Sequence, residues 1–521
     1  MKTRQKSDRR IVAQGNRKII PISRLKSERG AKSTTVIKET KQIQLPFGTA
    51  ENRGKMPRSD GGADVHQRTS EPFAVPKPKG KEEVGWSATM EKITMCLDTA
   101  FSKIASNRGA AGPDRQSIDE VRQHINKILP NLAQSLLEGT YTAGDVRRVW
   151  IPKSDGSKRG LGIPNVVDRV VQEAVRMVIE PLYESSFHPS SHGFRPGKGC
   201  HTAITEAKRH VENGNEWVVD IDLEKFFDRV HHQRLMARLA ERVKDKRILI
   251  LVGQMLKAKV IMPDGVRVNT DEGVPQGGPL SPLLSNIVLD ELDRELEQRG
   301  HHFVRYADDA NIYVQSERAG KRVMVSIAKF IEKRLRLKIN ESKSAVAKPE
   351  ERHFLGFRLK VNPLSEEVEV LLSKRTKDRI DEKIREMTPR NKGQSLAKTI
   401  TDLNIYLKGW IGFFGVCTAE VERTLQDLDG RIRRRLRAIQ LAHWKTKQTR
   451  ARNLVKLGVP RKLAWHTVYH GRKAIWALSI TYAVSRGLRN TYFVDRGLVS
   501  LKERWRRKFE SINVSRQLSW G

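Results

Sequence analysis

The sequence predicts an α+β body spanning residues 86–372, followed by an all-helical C-terminal region. Three observations carry this. From WSATMEKITMCLDTAFSKIA onward apolar residues recur at helical spacing, and strand-like runs and turns then alternate with helices up to about residue 370. Beyond that point LAKTITDLNIYLKGWIGFFG and the Arg-rich segment after it keep a 3.6-residue period with few strand signals. The third observation is charge: 98 Lys and Arg stand against 60 Asp and Glu, a formal net charge of +38. An imbalance of that size points to a polyanionic partner, nucleic acid first.

At about 150 residues per domain, 521 residues divide into three or four domains. Residues 1–85 are rich in Lys, Arg, Ser, Gly and Pro without sustained period, which predicts a basic N-terminal extension, either a solubilising tail or an RNA-binding arm. Cys96, Cys200 and Cys417 are far apart and odd in number, excluding a disulfide framework and any CxxC zinc site. No run approaches the roughly 18 apolar residues of a membrane span, and MKTRQKSDRRIVAQ has no apolar stretch after its charges. The expected setting is a reducing bacterial cytoplasm, at the nucleoid, with no membrane partner; an organelle is the alternative.

The chemistry-bearing residues lie in two strand-like runs. VRYA and ANIYV read as a hairpin with Asp308-Asp309 at its tip. EWVVDID carries Asp220 and Asp222 two apart, so both face one side while Val219 and Ile221 face the other. If the runs pair, three or four carboxylates converge. Divalent cations offset the repulsion in such a cluster, and Mg²⁺ accepts one or two carboxylates completed by substrate phosphates. Two such ions suit an in-line phosphoryl displacement.

From about Asn107 onward the chain resembles the reverse transcriptases encoded by group II introns. The motifs stand in that family's order: NRGAAGPD, VRRVWIPKSDGSKRGLGIPNVVDRVVQ, HGFRPGKGC, VVDIDLEKFFDRVHH, GVPQGGPLSPLLSNIVLDELD, FVRYADDANIYV, LRLKINESKSAV and FLGFRL. The resemblance implies a right-hand polymerase fold with fingers and palm over 86–372, a thumb or maturase X domain over 373–455, and a small helical DNA-binding domain over 456–521. It implies an RNA-directed DNA polymerase that also binds intron RNA as a maturase, with two Mg²⁺ as cofactors. An RNA template with DNA primer, target DNA, dNTPs and intron RNA are then the partners. Asp222, Asp308 and Asp309 match the metal-binding carboxylates; Asp220 is an extra acid, expected to be a solvated or supporting strand residue.

The remaining motifs take roles beside these. SDGS is a turn, so Lys153 and Arg159 lie on opposite arms of a short hairpin, placed to grip a triphosphate unless they are simply a solvated basic surface. Gln276, in PQGG, matches the residue that contacts the incoming nucleotide, and Gly277 and Gly278 permit close backbone approach or tight packing. Phe227 matches the aromatic that fills the volume of a ribose 2′-hydroxyl, which would make DNA the product; one of Phe226 and Phe227 is core. Lys343 matches a lysine that protonates the leaving pyrophosphate, a surface lysine being the alternative. FLGFRL resembles a primer-grip hairpin.

Tyr406, Trp410, Phe413 and Phe414 fall on one helical face, core packing of a helical thumb. Residues 430–494 hold sixteen Lys or Arg and no Asp or Glu, interleaved with Trp444, Trp465, Tyr469 and Trp476. Arg433, Arg434, Arg435, Lys445 and Lys447 are the candidate RNA contacts there, charge and stacking surface suiting phosphates and unstacked bases. Many relatives continue into an endonuclease domain with paired cysteines; none is expected here. Two other readings stay open: a splicing-only RNA-binding maturase, and a reverse transcriptase of a retron or phage-defence system.

Overall fold

The computed structural model describes residues 87–518 apart from 153–155, 157, 392, 419 and 472–473. The 1–85 extension therefore lies outside the described residues. A four-stranded antiparallel sheet in the order β6-β7-β3-β8 forms the centre: β3 (Trp217–Asp222), β6 (His302–Tyr306), β7 (Asp309–Val314) and β8 (Ala345–Ala347). Val219, Ile221, Phe303 and Ile312 point into a core built with the helices Val166–Glu184 and Ser281–Gln298. Val218, Val304 and Tyr313 point the other way, into a second core shared with the helix Cys200–Glu212 and the C-terminal helices. Strand parity therefore buries both faces of this sheet, and Asp220 and Asp222, in phase with Val218, lie where the second cover runs out.

A smaller sheet joins β1 (Val146–Pro152) and β2 (Lys158–Ile163) as an antiparallel hairpin, with the two-residue strands β4 (Val260–Ile261) and β5 (Arg267–Val268) beside β1. A third pairs β9 (Phe357–Val361) with β10 (Val368–Leu372). From Lys374 onward the described residues form helices and connecting turns without strands. Ser373 caps Lys374–Met387 and Ser395 caps Leu396–Phe414, each hydroxyl accepting an N–H of the first turn. Phe357 sits among Phe413 and Phe414 at ring separations of 5.9 and 5.2 Å, so FLGFRL places its apolar side chains in the junction with the helical region. Leu454 and Val459 are buried in one and the same cluster as Trp505, so the core runs unbroken through the expected boundary at 455/456.

The β6–β7 turn is displaced by one residue from its expected tip. Tyr306 pairs with Asp309, so Ala307 and Asp308 form the turn and Asp309 opens β7. The cause is Arg305. Its guanidinium is 1% exposed and pairs with the fully buried Asp293 at 2.7 and 2.5 Å. It also donates to Asn286 Oδ1 (3.0 Å), Ser191 Oγ (2.7 Å) and the carbonyl of Ala307 (2.9 Å), so all five N–H groups are used. Ala307 sits at φ 56°, a left-handed conformation costing roughly 1–2 kcal/mol for a residue with a Cβ. A hydrogen bond from a charged donor contributes about 1.5–3 kcal/mol, enough to hold the turn there. Gly193 lies beneath it, where a Cβ would meet the Ala307 nitrogen at 2.3 Å.

Removing one partner of this buried pair leaves the other charge unpaired. Asp293→Ala is expected to lower the free energy of unfolding in urea by about 3–5 kcal/mol. A loss under about 1 kcal/mol, the scale of a surface ion pair, would show that the pair does not hold the hairpin.

Candidate active site and nucleic-acid interface

Antiparallel register brings the carboxylates together. Asp222 ends β3 directly opposite Asp309 at the start of β7, and Asp308 occupies the adjoining turn. Asp220 faces Asn311 instead and is taken up by Arg352, whose Nε and Nη2 donate to one carboxylate oxygen at 2.9 and 2.6 Å. It is a supporting residue, and the cluster is three acids rather than four. The segment 338–344 runs past the end of β3: Glu224 N donates to the Lys338 carbonyl, Asn340 N to the Asp222 carbonyl, and Asp222 N to Ser344 Oγ. This places Lys343 Nζ 4.0 Å from Asp222 Oδ2.

Burial pushes the Asp308 carboxyl above its usual range, with Arg159 and Arg305 opposing the shift. Asp309 is pushed up to about 7 by enclosure and then by the charges of Asp308, Asp220 and Asp222, with Lys343 opposing. Its side chain still presents exposed surface, so the three like charges are the firmer part of that cause. Among the described residues no three His, Cys, Asp or Glu side chains stand close enough to share one metal ion. A hard cation that takes one or two carboxylates and completes its shell with water and phosphate fits Asp222 and Asp309 as they stand.

The other expected nucleotide contacts lie on segments joined to one another through main chain. Arg159 lies on β2, opposite Ile151, with its charge bearing on Asp308; Lys153 is outside the described residues. Gly162 N donates to the Gln276 carbonyl at 2.7 Å, and Gly277, at φ 123°, passes so near that a Cβ would lie 2.6 Å from the Gly162 oxygen. Val274 N donates to the Phe227 carbonyl at 2.6 Å. Phe226 is the core residue of the pair, 2% exposed, and Phe227 is half-buried with its ring edge-on to it at 5.3 Å. Main-chain bonds thus join β2, the 274–278 loop and the segment of Phe227 to one another. Sequence reasoning missed Arg352, since nothing local marks it, and Phe194, an exposed aromatic at φ 59° whose ring is 6.4 Å from Tyr306; only its place in HGFRPGKGC hinted at a role.

The acid-free basic stretch divides into two kinds of cation. Arg435, expected to meet RNA, bonds within the fold through its guanidinium, to Thr388 Oγ1 and to the Arg385 and Thr388 carbonyls at the C-terminus of Lys374–Met387. Arg450 does the same for the Val421–His443 helix through the Leu441 and Lys445 carbonyls, and Arg437 donates to the Leu488 carbonyl. Carbonyls at helix ends carry partial negative charge and replace carboxylates as partners. Arg434 lies 4.0 Å over the Trp476 ring, and Arg433 is half-buried on the same helix. Lys445 and Lys447 are exposed, and Lys447 lies 5.5 Å over Tyr469, whose ring stacks on Trp465 at 5.3 Å and 10°.

Comparison with known proteins places these features. Residues 151–359 match the family model described as reverse transcriptase (RNA-dependent DNA polymerase), and residues 377–458 match the group II intron, maturase-specific domain. The chain is 40% identical over 220 residues to protein YkfC of Escherichia coli, covering 41% of this chain and 55% of that protein. It is 38% identical over 208 residues to the group II intron-encoded protein LtrA of Lactococcus lactis (40% and 34%) and 32% identical over 335 residues to a putative COX1/OXI3 intron 2 protein of Saccharomyces cerevisiae (53% and 38%). It spans about a third to a half of the length of these relatives. Among the described residues no helix is long and apolar enough to cross a membrane.

The raised Asp309 carboxyl links folding to pH. The unfolded chain loses this proton near the ordinary value of 3.8 and the folded chain near 7, so between those values the folded state binds more protons and stability falls as pH rises. With divalent cations chelated, Asp309→Asn is expected to melt above the wild type at about pH 8, with the difference vanishing toward about pH 4. A difference independent of pH in thermal melts would remove the charge explanation.

Proposed function

We propose that this chain, which belongs to the group II intron-encoded reverse transcriptases and maturases, copies RNA into DNA and binds its intron RNA to support splicing and mobility. The observation that carries the reading is the register of β3 against β7, which sets Asp222 opposite Asp309 with Asp308 in the next turn and the charge of Arg159 bearing on it. Residues 86–372 are the fingers and palm, 373–455 the thumb or X domain, and 456–521 a DNA-binding region packed on the same core.

The residues' tasks follow from their positions. Asp222, Asp308 and Asp309 would hold two Mg²⁺, which supply charge neutralisation and activation of the attacking and leaving oxygens in an in-line displacement. Arg159, with Lys153, grips the triphosphate of an incoming dNTP, the guanidinium fitting phosphate oxygens in pairs. Gln276 contacts that nucleotide from a loop whose backbone is clamped to β2. The half-buried Phe227 ring fills the volume next to the sugar 2′ position and so favours deoxyribonucleotides. Lys343 stands beside Asp222, placed to give a proton to the departing pyrophosphate. Primer and target DNA approach the same cleft, while phosphates of intron RNA meet Lys445, Lys447, Arg433 and Arg434 in the helical region. The maturase-specific match over 377–458 supports this over a retron or phage-defence enzyme.

Primer extension on an RNA template with Mg²⁺ tests the first half. Asp308→Asn is expected to abolish it while leaving the melting profile intact, because an amide lacks the anionic oxygen a hard cation takes; retained extension removes the carboxylate assignment. For the second half, Lys445→Ala with Lys447→Ala is expected to weaken intron-RNA binding and to flatten the slope of log affinity against log salt by about 0.7–0.9 per lost contact. An unchanged slope would move the RNA interface elsewhere.

A further inference from the structure

We propose that Arg352 is a positioning residue for Lys343, bridging the turn that carries this lysine to β3; the inference rests on the polymerase reading above. β3 parity sets Asp220 and Asp222 on one face, but their surroundings differ. Asp222 meets Asp309, whereas Asp220 faces the neutral Asn311 and is 17% exposed beneath Arg352, itself 25% exposed. The Arg352 guanidinium makes two bonds to Asp220 Oδ2, at 2.9 and 2.6 Å, and from Nη2 a third to the main-chain carbonyl of Lys343.

The 340–344 turn is closed on itself by Lys343 N and Ser344 N donating to the Asn340 carbonyl. Both of its ends are fastened to β3: Glu224 N and Asn340 N bond across before it, and Ser344 Oγ and the β8 pairing opposite residues 218–220 hold it after. Between those ends Arg352 ties the Lys343 carbonyl itself to Asp220, so the ammonium starts from a set point 4.0 Å from Asp222. Nη2 makes the bridge to both acceptors, and the Nε bond to Asp220 orients the fork that carries it. Arg352 also pairs with Asp220, offsetting part of the charge that this acid adds beside Asp309.

Two measurements separate this from simple stabilisation. The first is hydrogen–deuterium exchange across 338–346 in the full chain, which needs no catalysis: Arg352→Met is expected to speed exchange there and leave the rest of β3 protected. The second is single-nucleotide incorporation. Arg352→Met is expected to lower kcat about 10- to 100-fold, the scale of a misplaced reacting group, with the KM for dNTP within about twofold. Arg352→Met combined with Lys343→Ala is expected to fall within about twofold of Lys343→Ala alone, since both changes remove one function. Wild-type exchange rates or additive losses would overturn the bridge. A wild-type kcat in Lys343→Ala would instead overturn the proton-donor role in the polymerase reading, and the exchange rates would still decide whether Arg352 holds the turn.

Discussion

The bidentate pair between Arg305 and Asp293 is the interaction on which the rest of the site depends. Withdrawing two charges from water is unfavourable, and a buried pair repays it only with full hydrogen bonding. Here all five guanidinium donors are engaged, on a helix (Asp293, Asn286), on the segment before HGFRP (Ser191) and on the turn itself (Ala307). One side chain therefore fixes three separate pieces of chain against each other. The turn it holds sets the start of β7, and with it the facing of Asp309 and Asp222; a slip of one residue would send β7 side chains to the opposite face.

Within that frame each acid meets a different neighbour. Asp220 has the Arg352 fork, Asp308 the nearby charges of Arg159 and Arg305, Asp222 a lysine at 4.0 Å, and Asp309 only the residual pull of that lysine. Two unit charges at the roughly 5 Å spacing of paired strand positions repel by on the order of 3 kcal/mol near a protein surface. An exposed lysine pair returns about 0–1 kcal/mol, so Lys343 does not offset the repulsion. The fold maintains an electrostatic deficit at Asp222 and Asp309 that an external cation can fill, while pairing the acid one pleat further back with Arg352.

The helical region meets the same difficulty with the sign reversed. Sixteen cations over 430–494 have no acid of their own stretch to pair with, and several arginines turn to main-chain carbonyls at helix ends. Those arginines serve the packing of the helices, while Lys445 and Lys447 remain available outside. The charge excess is thus partly internal scaffolding and partly surface, and only the surface portion is available to phosphate.

What the sequence determined by itself was what depends on local period and residue chemistry. The two-residue alternation of β3 places Asp220 and Asp222 on one face, the β1–β2 hairpin follows from SDGS between strand-like arms, and the 3.6-residue spacing after 374 yields helices. The motif order pointed to the acids, to Gln276 and to Phe227, and strand register sets Asp222 opposite Asp309. What only the tertiary structure decided turned on partners distant in sequence. Arg352 reaches Asp220 across 132 residues, and Arg435 reaches the end of another helix across 47. Arg305 moved the hairpin tip from Asp308-Asp309 to Ala307-Asp308 through Ser191, 114 residues away, and through a helix. A local pattern fixes which way a side chain points; whether its charge is cancelled, shared or left open depends on what the fold brings beside it.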